Sequence, residues 1–422
     1  MYSDKRSLSR RNFLKGVGAA GVGSVLAASG KLFGVEPAST PASQTKPAGA
    51  DQATAMPRRP FGKTGVNVPI LALGGIFDTA GNQLVLRQAI KWGVTYWDTA
   101  ESYEHGKSEE GMGNFLAANS DARKKLFIVS KTDNRNTKSM ADNLQKSLER
   151  LKTDYVDMYF IHGIGGTDVL TDEIKAWVEQ MKKDGKFKFF GFSTHGNMDA
   201  CLLGAAKLGW IDGIMMRYNY RAAGEMQAAI EACQKAGVGL TAMKTIAKGQ
   251  SRGRGRSKGG QEADAGQADG FQRFVDKGFS PEQACLKAVW DNPGIATICS
   301  QMPNLTILSA NVAAAMDKKE LTDEDKKALA LHAQATCDGY CAGCTSICQS
   351  AVAGAAPIGD VMRCLMYYHG YGEPLRAREA FQQLPAELRR NLARLDYSTA
   401  EKLCPQRMAI GELMREAAEL LA

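Results

Sequence analysis

From about residue 58 the chain alternates between two hydrophobic patterns. Short, mostly apolar runs occur at Ile70–Leu73, Thr95–Trp97, Leu126–Ser130, Val156–Ile161, Phe189–Phe192, Gly213–Met216, Val238–Met243 and Ala296–Cys299. Runs of this length suit strands buried on both faces. Between them lie longer stretches whose apolar residues recur three or four apart: Leu84–Trp92, Glu109–Ala118, Met140–Leu151, Asp172–Lys183, Asp199–Leu208, Glu225–Ala236, Pro281–Trp290 and Leu305–Met316. That spacing predicts amphipathic helices. Eight strands alternating with eight helices predict an α/β fold, a (β/α)8 TIM barrel over residues 58–320, with a helical extension over 321–422. An open doubly wound sheet is the alternative, but no G-x-G-x-x-G follows the first strand. In a barrel, chemistry is expected at the C-terminal ends of the strands.

Composition narrows the class. The 422 residues are 44% hydrophobic and 23% charged, which excludes a largely disordered chain, and with one stretch, at the N-terminus, apolar enough to consider for a membrane, a polytopic membrane protein is excluded as well. The formal charge of +8 is modest for this length and does not indicate a nucleic-acid binder. Near the start, Ser9-Arg10-Arg11-Asn12-Phe13-Leu14-Lys15 precedes a weakly apolar run from Gly16 to Gly30. This is the pattern of a twin-arginine export signal; the competing reading is a basic tail before a helix. The apolar run is shorter than the ~20 residues of a spanning helix. Residues 1–36 are therefore expected to be a signal segment and 37–57, rich in Pro, Ala, Ser and Thr, a linker. The expected partner is the twin-arginine translocase. The expected location is periplasmic or otherwise extracytoplasmic, membrane-tethered if the signal stays uncleaved.

Four polar residues directly follow or end the apolar runs: Asp98 and Tyr103 in WDTAESY, Lys131 in IVSKT and His162 in YFIHG. One such residue would be an ordinary loop residue. Together they would supply a carboxylate, a phenol, an ammonium and an imidazole if they share a single mouth, a convergence that a family resemblance implies and periodicity does not show. Asp98 is expected to pair with Lys131, and Lys131 to lower the Tyr103 pKa. Tyr103 would then donate a proton to a carbonyl oxygen that His162 orients.

Five of the ten cysteines lie near the C-terminus: Cys337, Cys341, Cys344, Cys348 and Cys404. Their C-x3-C-x2-C-x3-C spacing and the remote Cys404-Pro405 suit a [4Fe–4S] cluster. Zinc and disulfides are the rivals. Cys341, Cys344 and Cys348 are assigned first and Cys404 as the fourth ligand, with Cys337 in reserve. Cys201, Cys233, Cys285, Cys299 and Cys364 read as buried small hydrophobes.

The segments RRPFGKTGVNVP, LALGG, WDTAESY, IVSKT, YFIHG, GFSTH, MRYNY and NPGIATICSQMPN resemble the aldo/keto reductase family over residues 57–316. The resemblance implies reduction of small carbonyl substrates by a nicotinamide cofactor lying over the barrel mouth. It assigns Asp98, Tyr103, Lys131 and His162 as catalytic, and Ser193 and Thr194 to the nicotinamide carboxamide. YCAGCTSIC, DVMRCLMYYHGYG and CPQRMAI resemble the cluster-bearing extension of certain exported members, which fits an iron–sulfur cluster assembled before export. Three departures stand out: Met215 where an amide is usual, Met243 and Lys244 where an aromatic ring is usual, and no Lys or Arg from Asp291 through Met316. Without a cation there to grip a 2′-phosphate, an NADPH preference is doubtful, which leaves NADH or a displaced binding mode. The basic loop Ser251–Gly260 offers a substitute grip or is simply solvated. Two functions follow. One is an exported carbonyl oxidoreductase carrying one [4Fe–4S] cluster, with a redox partner protein. The other is an electron-transfer or scaffold protein that keeps the barrel.

Overall fold

The computed structural model describes residues 55–222, 226–249, 271–352 and 356–422. The export segment, most of the linker and the basic loop 251–260 lie outside them. A short antiparallel hairpin, β1 (Arg58–Pro60) and β2 (Asn67–Pro69), opens the described chain. Its Phe61 is fully buried and meets Tyr96 and Phe127 inside the barrel floor. The sequence pattern missed this hairpin because its strands are three residues long and contain prolines.

Eight parallel strands then close a barrel: β3 (Leu71–Gly74), β4 (Tyr96–Asp98), β5 (Phe127–Thr132), β6 (Val156–Ile161), β7 (Phe187–Thr194), β8 (Gly213–Arg217), β9 (Gly239–Met243) and β10 (Thr297–Gln301). Each pairs with its sequence neighbour, and β10 closes on β3. Helices α1 (Gln83–Lys91), α2 (Lys107–Ala118), α3 (Thr137–Leu151), α4 (Asp172–Lys183), α5 (Met198–Leu208), α6 (Gln227–Ala236), α7 (Pro281–Trp290) and α8 (Leu305–Met316) connect or follow the strands. All eight strands and all eight helices coincide with their predicted runs to within a few residues. Side chains of these helices, such as Leu144, Leu148, Ile230 and Leu308, share one core with outward-facing strand residues such as Leu71, Ile128 and Ile214.

Beyond α8, the chain continues as α9 (Asp323–Ala335), α10 (Thr345–Cys348), α11 (Ile358–Leu365), α12 (Pro374–Gln382), α13 (Ala386–Asn391), α14 (Ser398–Leu403) and α15 (Ile410–Leu420). This extension has its own core, in which Val361, Cys364, Leu365, Phe381, Leu392 and Met414 are buried together. It docks on the C-terminal ends of the barrel strands. The Asn197 N–H donates to the Gly343 carbonyl at 2.8 Å, the Ser346 N–H to Asn197 Oδ1 at 2.8 Å, and Asn219 Nδ2 to Tyr340 Oη at 2.7 Å. Gly343, at φ 82°, allows this contact: a Cβ there would collide with an Arg217 guanidinium nitrogen and stand 2.7 Å from the His195 carbonyl. Among the described residues no helix is long and apolar enough to cross a membrane.

Candidate active site

Asp98 is the last residue of β4, Lys131 lies in β5, and His162 follows β6 directly. All three therefore reach the mouth at neighbouring strand ends. Tyr103 begins a tight turn in which Glu104 and His105 adopt φ of 50° and 55°. Two consecutive non-glycine residues in the left-handed region are uncommon and mark a constrained segment. The turn brings the Tyr103 phenol back over the strand ends.

Lys131 is the hub. Its fully buried Nζ donates to Asp98 Oδ2 at 2.8 Å, to the Thr99 carbonyl at 2.7 Å and to Tyr103 Oη at 3.1 Å. Asp98 Oδ1 lies 2.7 Å from the same ammonium. The Tyr103 and His162 rings meet edge to face at 5.7 Å. The four expected residues are thus brought together. Burial would favour a neutral Lys131, but Asp98 and Tyr103 outweigh it and hold Lys131 above the usual lysine range. Asp98 is itself pushed up by burial, with Lys131 opposing.

One expectation is corrected. Tyr103 is raised, not lowered: burial dominates, and Lys131 only limits the rise. The phenol is consequently held protonated as a donor. His162 is kept below its usual range by burial, with Asp133 opposing. Its Nδ1 stands 2.8 Å from Asp133 Oδ1. Asp133 is brought down to about 2 because hydrogen bonding and attraction to His162, with Ser102 and Arg135 adding, outweigh its burial. Sequence reasoning passed over Asp133, although it stands two residues after Lys131 in KTD.

Ser193 and Thr194 both end β7. The Ser193 hydroxyl accepts from the Gly163 N–H at 2.9 Å, so it steadies the turn after His162 and still has a proton to donate. Thr194 donates to the Gly196 carbonyl at 2.7 Å. Cys299 is a second correction. It is partly exposed rather than buried, and it faces Asp98 at the mouth. Of the other histidines, His195 stands at the mouth beside His162, while the exposed His105 side chain approaches Glu379 at 3.9 Å.

In the extension, Cys341, Cys344, Cys348 and Cys404 line one cavity, walled otherwise by residues such as Ile358, Met362 and Met408. Cys337 is not among its lining; its sulfur accepts from Arg407 at 3.2 Å. Burial pushes Cys344 up to about 11 and Cys348 up to about 12, and the neighbouring cysteine sulfurs add to both shifts. Among the described residues no three Cys, His, Asp or Glu side chains form a group that would hold a metal ion.

The model of the aldo/keto reductase family matches residues 75–333. The chain belongs to that family. It is an oxidoreductase of the aldo/keto reductase type, and the extension beyond residue 333 lies outside the family match. An uncharacterised oxidoreductase of Bacillus subtilis, YqkF, is 25% identical over 309 residues, covering 66% of this chain and 96% of that protein. The glyoxal reductase of the same organism is 38% identical over 134 residues, but the match spans 31% of this chain and 47% of that enzyme. An aldo-keto reductase from Bacillus halodurans, solved in its holo form, shares the fold with a TM-score of 0.52 at 21% identity, over 66% of this chain and 97% of its own. Members of the family generally use NAD(P)H.

Proposed function

We propose that this aldo/keto reductase is an exported enzyme that interconverts a small carbonyl compound and its alcohol, with a nicotinamide at the barrel mouth and a [4Fe–4S] cluster in the extension. The observation that carries the catalytic reading is the triple hydrogen bonding of Lys131 to Asp98, Thr99 and Tyr103. Tyr103 donates its proton to the substrate oxygen. Lys131 stabilises the phenolate that remains, and Asp98 keeps Lys131 charged. His162, held neutral, orients the carbonyl. When bound, the nicotinamide supplies the hydride. Ser193 and Thr194 are proposed to meet its carboxamide, and NADH is the favoured form.

The cluster reading is supported by four cysteines that line one cavity rather than converge on a point. A cubane takes one thiolate at each corner, a wider arrangement than the tetrahedral cage of a zinc ion. Cys341, Cys344, Cys348 and Cys404 are the proposed ligands, and the place of Cys337 beside Arg407 favours Cys404 as the fourth. The cluster would pass single electrons to or from a partner protein. Export rests on Arg10 and Arg11, and periplasmic location follows from it; the paired arginines changed to lysines should leave the protein inside the cell on fractionation.

The decisive experiment is anaerobic purification with iron, sulfide, zinc and released-nucleotide analysis. Turnover of glyoxal and methylglyoxal, the substrates named in the relatives, is then measured with NADH and NADPH. Tyr103→Phe keeps the ring and removes the proton, so turnover should fall by about 100-fold or more. Turnover unaffected by Tyr103→Phe, with no nucleotide bound, would make the barrel a scaffold and the cluster an electron carrier. Zinc in place of iron would remove the redox reading.

A further inference from the structure

The extension delivers positive charge to the mouth that the tetrad does not use. Arg363 lies on α11 and Arg376 on α12, and both side chains come from outside the family-matched segment. They join Lys244, which directly follows β9. Tyr367 binds the three into one group. Its ring lies 4.0 Å from the Arg376 guanidinium and 4.4 Å from Lys244 Nζ, and Arg363, four residues earlier in the chain, is within electrostatic reach of its phenol. The group faces the reacting residues: Arg376 is within electrostatic reach of Tyr103, and Lys244 within reach of Cys299, which adjoins Asp98.

The charge there is balanced only in part. Arg376 has Glu373 at 2.7 Å and Arg363 has Asp360 at 3.0 Å. Among the described residues, Lys244 has no carboxylate within ion-pair distance. Arg217, at the end of β8, is 7% exposed with a buried Nε lacking any hydrogen-bond partner. His195 marks where these fields overlap. Burial and then Arg363, Lys244, His162 and Arg217 all disfavour its charged form. Burial alone would raise Tyr367, yet Lys244, Arg376 and Arg363 bring it down to about 8. Lys244 is also fixed by backbone conformation. It sits at φ 59°, and its carbonyl accepts from Asn219 Nδ2 at 3.1 Å. Lys244, which burial brings down to about 8, lacks a carboxylate, and Arg363 and Arg376 each hold theirs through a single nitrogen and keep further N–H donors, so an oxyanion would supply the charge-assisted hydrogen bond that Lys244 lacks and could share the arginines' remaining donors.

We propose that Lys244, Arg363 and Arg376 form an oxyanion-binding site at the barrel mouth, and that the carbonyl compound turned over there carries a carboxylate or phosphate close to its reacting carbon. Arg offers a planar fork to such a group and Lys a point charge, a combination suited to either oxyanion. This rests on the carbonyl-oxidoreductase reading above and adds the substrate class.

The test pairs substrates that differ in the anionic group. Glyoxylate is compared with glyoxal for the carboxylate, and glyceraldehyde 3-phosphate with glyceraldehyde for the phosphate. The anionic member of at least one pair should have the higher kcat/KM, and the pair that shows it identifies the oxyanion. In Lys244→Met and Arg376→Gln that advantage should shrink by about 10-fold to 100-fold, whereas Arg376→Lys should retain part of it. Calorimetric titration of the holoprotein with oxalate and with inorganic phosphate gives a readout independent of turnover, and binding of at least one should weaken by a similar factor in the variants. No anionic advantage and no binding of either probe by the wild type would overturn the proposal. So would a loss seen equally for charged and neutral substrates, or a loss confined to the nucleotide KM, which would assign the cations to the cofactor phosphates. Oxalate or phosphate binding that the variants lose, without turnover of any carbonyl compound, would sustain the anion site and overturn the proposed function.

Discussion

The barrel mouth and the cysteine cavity are two centres built in opposite ways. At the mouth, the groups satisfy one another: one ammonium serves a carboxylate, a carbonyl and a phenol, all at hydrogen-bond distance. In the extension, four thiols line a shared space, and burial and mutual repulsion raise the thiols of Cys344 and Cys348. The first centre is organised by its own residues. The second leaves its four thiols facing a common space, and the proposed cluster is what would take their charge. A preorganised acid site tolerates loss of a neighbour as a rate defect, whereas a site that gains its order from a cofactor loses structure with it.

The sharpest way to break this contrast is to remove a cysteine. On the proposed cluster reading, Cys348→Ser and Cys404→Ala should each abolish the iron-dependent visible absorption of the anaerobically purified protein and make the extension more sensitive to limited proteolysis. Cys337→Ala should keep both signals. If Cys337→Ala loses iron and Cys404→Ala retains it, the fourth ligand has been misassigned.

Next in size is Lys131→Met. Without the ammonium, the Tyr103 pKa rises further and the phenolate loses its stabilising charge. Carbonyl turnover should drop by about 100-fold or more, the usual scale of general acid catalysis. Iron content should not change, because the hub and the cavity share no residue. A loss of iron in this variant would join the two centres into one.

The two regions also differed in how far the sequence announced them. Buried parallel strands read as apolar runs, so β3 to β10 were legible, and a polar residue at a strand end, such as Asp98 or His162, stood out against them. Orientation was harder. Cys299 ends an apolar run and lies within β10, but whether its thiol faces the helices or the mouth depends on strand phase, and it faces Asp98. The sign of the Tyr103 shift depended on weighing burial against Lys131, which a sequence does not quantify. In the extension, cysteine spacing was visible, but the meeting of Arg363 and Arg376 with Lys244 was not. Residues more than a hundred positions apart come together there only through the docking of α11 and α12 on the mouth.

That docking gives a third prediction. Gly343→Ala places a methyl group against the Arg217 guanidinium and the His195 carbonyl, in a backbone conformation that alanine adopts poorly. The extension should shift off the mouth at a cost of about 1–3 kcal/mol. Limited proteolysis should then cut the extension faster while leaving the barrel intact. Unchanged proteolysis would show that the contact adds little to the docking.

The smallest effect concerns the connector between the two regions. Asp325 lies in the first turn of α9, fully buried. It accepts from Arg273 at 2.6 Å, from Lys277 at 2.5 Å and from the Thr322 backbone at 2.9 Å. Burial would raise its pKa, but these donors outweigh it and bring it down to about 2. An unfolded aspartate titrates near ~3.9, and each tenfold difference in proton affinity between the folded and unfolded chain corresponds to ~1.4 kcal/mol. With Arg273 and Lys277 partly exposed, solvent screening reduces the contribution to about 1–2 kcal/mol. Because the folded pKa is the lower one, this stability is fully present above about pH 4 and is lost as the pH falls toward 2. Asp325→Asn should therefore destabilise the protein by that amount at pH 7, measured by urea unfolding. The gap between variant and wild type should narrow as the pH is lowered from about 4 to about 2. A constant gap across that range would mean that Asp325 acts through the shape of the α9 cap rather than through its charge, and the connector would then owe nothing to Arg273 and Lys277.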